Sequence, residues 1–200
     1  MTLTTAVRTA AASLALAAAL TGCASQDTGT EQPGAAVESS APAAHNSADA
    51  EFAQMMTIHH EGAVEMADLA VEKAQSDEVR GLAEGITAAQ GPEIDLMTGW
   101  LEAWGEDAPD EAEMGGMGHG GMDMDGLDQE SAMVDLEGLE GAEFDRRFLE
   151  LMTAHHEGAV EMAESLIEDG ENAEARVLAE KVIEDQTAEI ATMSALIDGL

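Results

Sequence analysis

From Asp49 onward, apolar residues recur at intervals of three and four. At about 100° per residue, Asp49, Phe52, Ala53, Met56, His60, Ala63, Val64 and Ala67 fall on one stripe. Glu61, Glu65 and Asp68 fall on the opposite, solvated side. The pattern predicts an amphipathic helix. A second helix is predicted to begin near Ser76 or Asp77, both good N-cap residues. Its stripe is Val79, Ala83, Ile86, Ile94, Leu101 and Trp104, and Pro92 within it predicts a kink. The pattern lapses over residues 105–126, where MGGMGHGGMDMDG holds too much Gly for a regular element. Residues 128–138 read as a short helix. Residues 140–143 then lead into a third long one, and Val182, Ile183, Ile190 and Ile197 mark a fourth.

The chain repeats itself. Residues 56–67 read MTIHHEGAVEMA and residues 152–163 read MTAHHEGAVEMA, so eleven of twelve positions match at an offset of 96. The same offset pairs Asp49 with Asp145, Phe52 with Phe148, Arg80 with Arg176 and Gln90 with Gln186. It also pairs Glu93 with Glu189, Ile94 with Ile190 and Met97 with Met193. An ungapped match of this length is an internal duplication. The units are residues 49–104 and 145–200, each a helix–turn–helix hairpin, joined by a Gly/Met-rich connector over residues 105–127. Two hairpins bury four apolar stripes most economically as an all-α four-helix bundle.

Composition narrows the function. The chain has 42 Asp+Glu against seven Lys+Arg, a formal charge of −35. That excludes a nucleic-acid partner, which needs cations facing phosphates, and docking on anionic lipid through a basic patch. A single Cys makes neither an internal disulfide nor a thiolate zinc or iron–sulfur site. Most acids fall on solvated helix faces and turns, where they serve solubility.

The N-terminus reads as an address. Residues 1–22 hold Arg8 and then an apolar run too short to span a bilayer, as in a secretory signal. The run ends in Leu20-Thr21-Gly22-Cys23, which resembles the bacterial lipobox. This implies that Cys23 is lipidated and that the protein is anchored to the outer face of the cytoplasmic membrane. The membrane is then met through the lipid alone. Residues 23–47, rich in Ser, Ala, Gly, Pro, Gln and Glu, read as a flexible tether in which His45 is solvated.

The chemistry lies in polar residues set within apolar stripes. His60 occupies the middle of the first stripe, one turn after Met56, with His59 on its flank beside Met55 and Met66. On the partner helix, Gln90, Glu93 and Met97 share the apolar face. A buried imidazole or carboxylate without a partner costs several kcal/mol, about 2–7 for an uncompensated polar group. Compensation comes from a hydrogen-bond network or from a metal ion. Imidazole suits Cu, Zn, Ni and Fe, and thioether favours Cu(I), so Met and His without thiol point to copper. The expected ligands are Met56, His59, His60 and Met97, with Met152, His155, His156 and Met193 in the second unit. Met66, Met162, Glu93 and Glu189 are ligands or orienters of ligands. Met114, Met117, Met122 and Met124 around His119 form a further candidate cluster in the connector. The structural alternatives are core methionines that fill gaps and His–Glu pairs without metal. Asp49 and Asp145 read as first-turn acids, and Arg80 and Arg176 as surface partners of nearby Glu. No nucleophile–base arrangement is visible, so no catalytic residue is assigned.

These residues carry a family resemblance. Asp49, Phe52, Met56, His59, His60, Ala63, Met66, Ala67, then Gln90, Glu93, Ile94 and Met97, are similar to the bacterial domain of unknown function 305 family. Asp145, Phe148, Met152, His155, His156, Ala159, Met162, Ala163, Gln186, Glu189, Ile190 and Met193 repeat the motif. The resemblance covers about residues 48–200. It implies a ferritin-like, all-helical domain in exported proteins, some linked to copper binding and tolerance. Ferritin-like di-iron sites use Glu-x-x-His pairs. Here Thr57 and Thr153 stand three residues before His60 and His156, against di-iron chemistry. The expectation is therefore an exported lipoprotein that binds, buffers or hands over copper. Its rivals are a metal-free helical interaction module and a ferritin-like redox enzyme.

Overall fold

Each long helix begins where a side chain caps the free backbone N–H groups, or where glycine turns the chain. The computed structural model describes residues 44–109, 124 and 126–200. Cys23, the signal-like segment, and Met114, Met117, His119 and Met122 lie outside the described residues.

Helix α1 spans Ser47–Lys73. Asn46 accepts from the Asp49 N–H, and the Asp49 carboxylate accepts from the Asn46 N–H, a reciprocal capping box. Helix α2 spans Asp77–Trp104, capped by the Ser76 hydroxyl. It runs unbroken through Pro92 and ends at Gly105, whose φ of 75° is left-handed. Helix α3, Gln129–Glu137, is the expected short helix, capped by Asp128. Helix α4, Gly141–Asp169, starts without a side-chain cap from Gly141 at φ 63°. Helix α5, Ala173–Gly199, is capped by Asn172. The fold is all-α, two antiparallel hairpins (α1–α2 and α4–α5) related by the 96-residue repeat, as the periodicity predicts. Their closest mutual contact is α1 against α4.

The core has two lobes, and neither belongs to one repeat. In the first, Phe52, Ala53, Met56, Met97 and Leu101 meet Ala159, Ala163, Leu166, Ala175, Ala179 and Val182. In the second, Phe148, Leu149, Met152 and Met193 meet Ala63, Ala67, Ala70, Val79, Ala83 and Ile86. The start of each first helix thus packs on the end of the other, so α1 and α4 run antiparallel. Each hairpin closes its partner's core, so a single repeat leaves much of its apolar stripe uncovered. The second lobe gains Leu136 from α3 and the buried Met124.

Two buried carboxylates tie the hairpins together. Asp49 accepts from the backbone N–H groups of Glu171 (3.1 Å) and Asn172 (3.0 Å) in the α4–α5 turn. Asp145 accepts from Gln75 (2.9 Å) and Ser76 (2.8 Å) in the α1–α2 turn. Asp49 is a first-turn acid, as the sequence suggests, whereas Asp145 lies in the second turn of α4, after the first-turn Glu143; each caps the turn of the other hairpin.

Three surface expectations are corrected. Arg80 pairs with Asp77 rather than with Glu and donates to the Ala74 carbonyl. Arg176 donates to the carbonyls of Ile167 (2.7 Å) and Gly170 (3.1 Å), binding the turn before its own helix. His45 is not simply solvated. Its ring stacks on Trp104 with centroids 4.6 Å apart and bonds Glu106 at 3.0 Å. A planar imidazole gains more from an indole face than from water alone. Asn46 and Asn172 fasten the same stretch, through Asn46 to the Asp169 carbonyl and Asn172 to the Ala44 carbonyl.

Candidate metal centre

Four imidazoles meet at the middle of α1 and α4, between the two core lobes. His59 and His155 come from different repeats, yet their ring centroids lie 3.6 Å apart at 45°. His60 and His156 are fully buried. The sequence placed one His on each stripe and the other on its flank. The antiparallel crossing turns both flanks toward each other.

Each stripe histidine is held by the carboxylate of its own hairpin. His60 Nε2 lies 2.9 Å from Glu93 Oε2, and His156 Nε2 lies 2.7 Å from Glu189 Oε2. An ionised carboxylate only accepts, so Nε2–H is the donor in both pairs. In the neutral imidazole that tautomer leaves Nδ1 as the acceptor. Nδ1 of His60, His155 and His156 has no hydrogen-bond partner, nor has Oε1 of Gln90 or Gln186. Buried acceptors without donors are costly, about 1–3 kcal/mol each. A carboxylate holding one ring nitrogen while the other stays open is the arrangement that orients a metal-binding imidazole.

Burial keeps the His155 imidazole unprotonated. Burial pushes His155 well below the ordinary imidazole range, and the neighbouring His59, His156 and His60 push it the same way. It is neutral near pH 7, the form that binds metal. Burial alone would raise Glu93. The hydrogen bonds from His60 and Lys181, with their charges, outweigh it and hold the carboxyl below its usual range. Lys181 is raised by Asp185 and Glu93.

Thioethers flank the imidazoles in sets that cross the repeats. Met56 and Met97 are fully buried in the first lobe, where Met162 of the second unit joins them. Met152 and Met193 are fully buried in the second, with Met66 of the first unit. The Thr153 hydroxyl donates to Met193 Sδ at 3.7 Å. Met124, expected in the connector cluster, is buried in the second lobe, and its backbone bonds reciprocally with Leu127. Among the described residues, no three His, Cys, Asp or Glu side chains converge to hold an ion. The donor set fits a soft ion: open imidazole nitrogens beside buried thioethers, with no thiolate. Sequence reasoning missed Lys181, whose signal was a lone cation at a position where the repeat has Gly85.

The family described as "Domain of unknown function (DUF305)" matches residues 49–197. The chain belongs to the DUF305 family. A DUF305 protein of Streptomyces coelicolor, described as secreted, is similar in structure, with a TM-score of 0.68 and 33% identity. The match covers 76% of this chain and 93% of that one. A DUF305 fragment from Deinococcus radiodurans is similar at TM-score 0.67 and 30% identity, covering 80% and 99%. CopM in its Cu(I)-bound form is similar at TM-score 0.60 and 32% identity, covering 76% and 96%. CopM has also been solved with Cu(II) and with Ag. No curated protein matches.

Proposed function

We propose that this protein binds copper at the central histidines and buffers it or hands it over outside the cytoplasm. The observation that carries the reading is the pair of carboxylate-held imidazoles whose Nδ1 atoms lack partners, set beside buried methionines. The likeness to CopM, solved with Cu(I), Cu(II) and Ag, supports it. The ligands in this reading are His59, His60, His155 and His156, with Met56, Met97, Met162, Met66, Met152 and Met193. Glu93 and Glu189 act as orienters, because each already engages Nε2. Cys23 anchors the exported chain by lipid, which keeps the site at the outer membrane face. The ion is cargo, and no catalytic residue is assigned; the loaded protein is expected to consume no oxygen.

The test is Cu(I) competition with a coloured chelator on the purified protein. Sub-micromolar binding is expected, with a loss of at least tenfold in His60→Ala/His156→Ala, about 1.4 kcal/mol or more. Binding no tighter than micromolar, or unchanged in the double variant, overturns the reading. One observation favours a second reading, a metal-free interaction module. The His60–Glu93 and His156–Glu189 bonds already give each buried stripe imidazole a carboxylate partner. A ligand at 100 times its Kd adds about 2.7 kcal/mol, so a melting curve unmoved by copper favours the module.

A further inference from the structure

Lys181 breaks the symmetry between the two imidazole–carboxylate pairs. Its Nζ lies 2.9 Å from Glu93 Oε1 and 2.6 Å from Asp185 Oδ2. Glu93 is therefore engaged on both oxygens, by His60 on Oε2 and by Lys181 on Oε1. The repeat offset puts Gly85 at the equivalent place on α2. Gly85 has no side chain to answer Glu189, and a Cβ built there meets nothing within 4 Å. Among the described residues no Lys or Arg pairs with Glu189. Its side chain is 24% exposed, against 11% for Glu93. One carboxylate is clamped between two cationic or donor groups from two hairpins, and the other is held by one imidazole and open to water.

We propose that Lys181 is a positioning residue that latches the first pair, so that the two halves of the centre release an ion at different rates. This inference rests on the copper reading above. For His60 to swing away from an ion, Glu93 must follow or give up the Nε2–H bond. Lys181 holds Glu93 against that movement, from the opposite hairpin. His156 meets less resistance, because Glu189 can move with it into solvent. The half containing His156 thus exchanges ions, and the half containing His60 retains them.

The experiment loads the purified chain with two equivalents of Cu(I) and mixes it with excess bicinchoninate, following the coloured complex by stopped flow. Two phases of similar amplitude are expected, differing in rate by about threefold to tenfold. Lys181→Gly, which copies the residue of the other repeat, should quicken the slow phase and leave the fast one. Gly85→Lys should slow the fast phase, and Lys181→Arg should preserve both. Position 85 is exposed and roomy, so Gly85→Lys tests the idea even if Lys181→Gly destabilises the fold. Copper release in one phase, or in two phases that neither variant moves, overturns this inference and leaves the copper reading standing. Failure of the wild type to take up copper overturns both.

Discussion

The turn from α1 to α2 and the turn from α4 to α5 are held by the same devices. In each, an N-cap residue starts the second helix, an arginine on that helix binds a carbonyl of the turn, and a buried aspartate from the other hairpin caps it. Their residues differ at all three turn positions, and one of these differences bears on the packing. Ala74 in the first turn corresponds to Gly170 in the second. A Cβ on Gly170 would lie 2.6 Å from Leu166 Cδ1 and 2.8 Å from Asp49 Oδ1. Asp49 also has a second task, the capping box with Asn46, which Asp145 lacks. The contacts that fix the fold are thus kept in both halves. The details have diverged where one half carries an additional contact, and Lys181 against Gly85 follows the same rule at the centre.

Removing the aspartates should have the largest effect. Asp49→Ala leaves the buried N–H of Asn172 and the part-buried N–H groups of Glu171 and Asn46 without their acceptor, and is expected to cost about 3–5 kcal/mol. Asp145→Ala strands only Gln75 and Ser76 and should cost less, about 2–3 kcal/mol. Urea denaturation of the two variants measures both, and equal losses would remove the distinction between the ends. Glycine at the second turn comes next. Gly170→Ala should destabilise by about 1–3 kcal/mol through crowding against Leu166 and Asp49. Ala74→Gly should cost under about 1 kcal/mol, through chain entropy alone. A Gly170→Ala variant as stable as the wild type would show that the turns are interchangeable.

The most gradual effect is the slope of stability with pH. In the metal-free protein His155 is depressed below the unfolded imidazole value of 6.5. Below about pH 6.5 the unfolded chain then takes up a proton that the native state refuses, so stability falls on acidification, by at most about 1.4 kcal/mol per pH unit from this group. Glu93 acts in the same direction lower down. Its stabilisation is present above the unfolded value of 4.5 and is lost as pH falls through its depressed native value. Melting temperatures of wild type and His155→Gln between pH 7 and 5 check the first effect. The wild type should lose more stability across that range, and parallel curves would disprove the depression.

Much of the centre was legible because helical spacing is local. His60 and Glu93 lie on apolar faces of consecutive helices in a hairpin, and their pairing follows from the stripes alone. The methionines were legible as buried but were grouped by repeat. Met66 in fact joins Met152 and Met193, and Met162 joins Met56 and Met97, because a residue late in α1 faces one early in α4. His45 was misread because its partners, Trp104 and Glu106, lie at the far end of the hairpin, beyond any local pattern.

The sequence by itself determined the duplication, the four long helices with the cap near Ser76, the short helix over residues 128–138, and the four imidazoles among thioethers. These depend on period and on neighbours within one turn of helix. Tertiary structure alone decided what crosses between hairpins. It brought His59 onto His155, placed Asp49 and Asp145 on each other's turns, and set Lys181 on Glu93. A repeat offset states which residues are equivalent, whereas an antiparallel crossing decides which inequivalent residues touch.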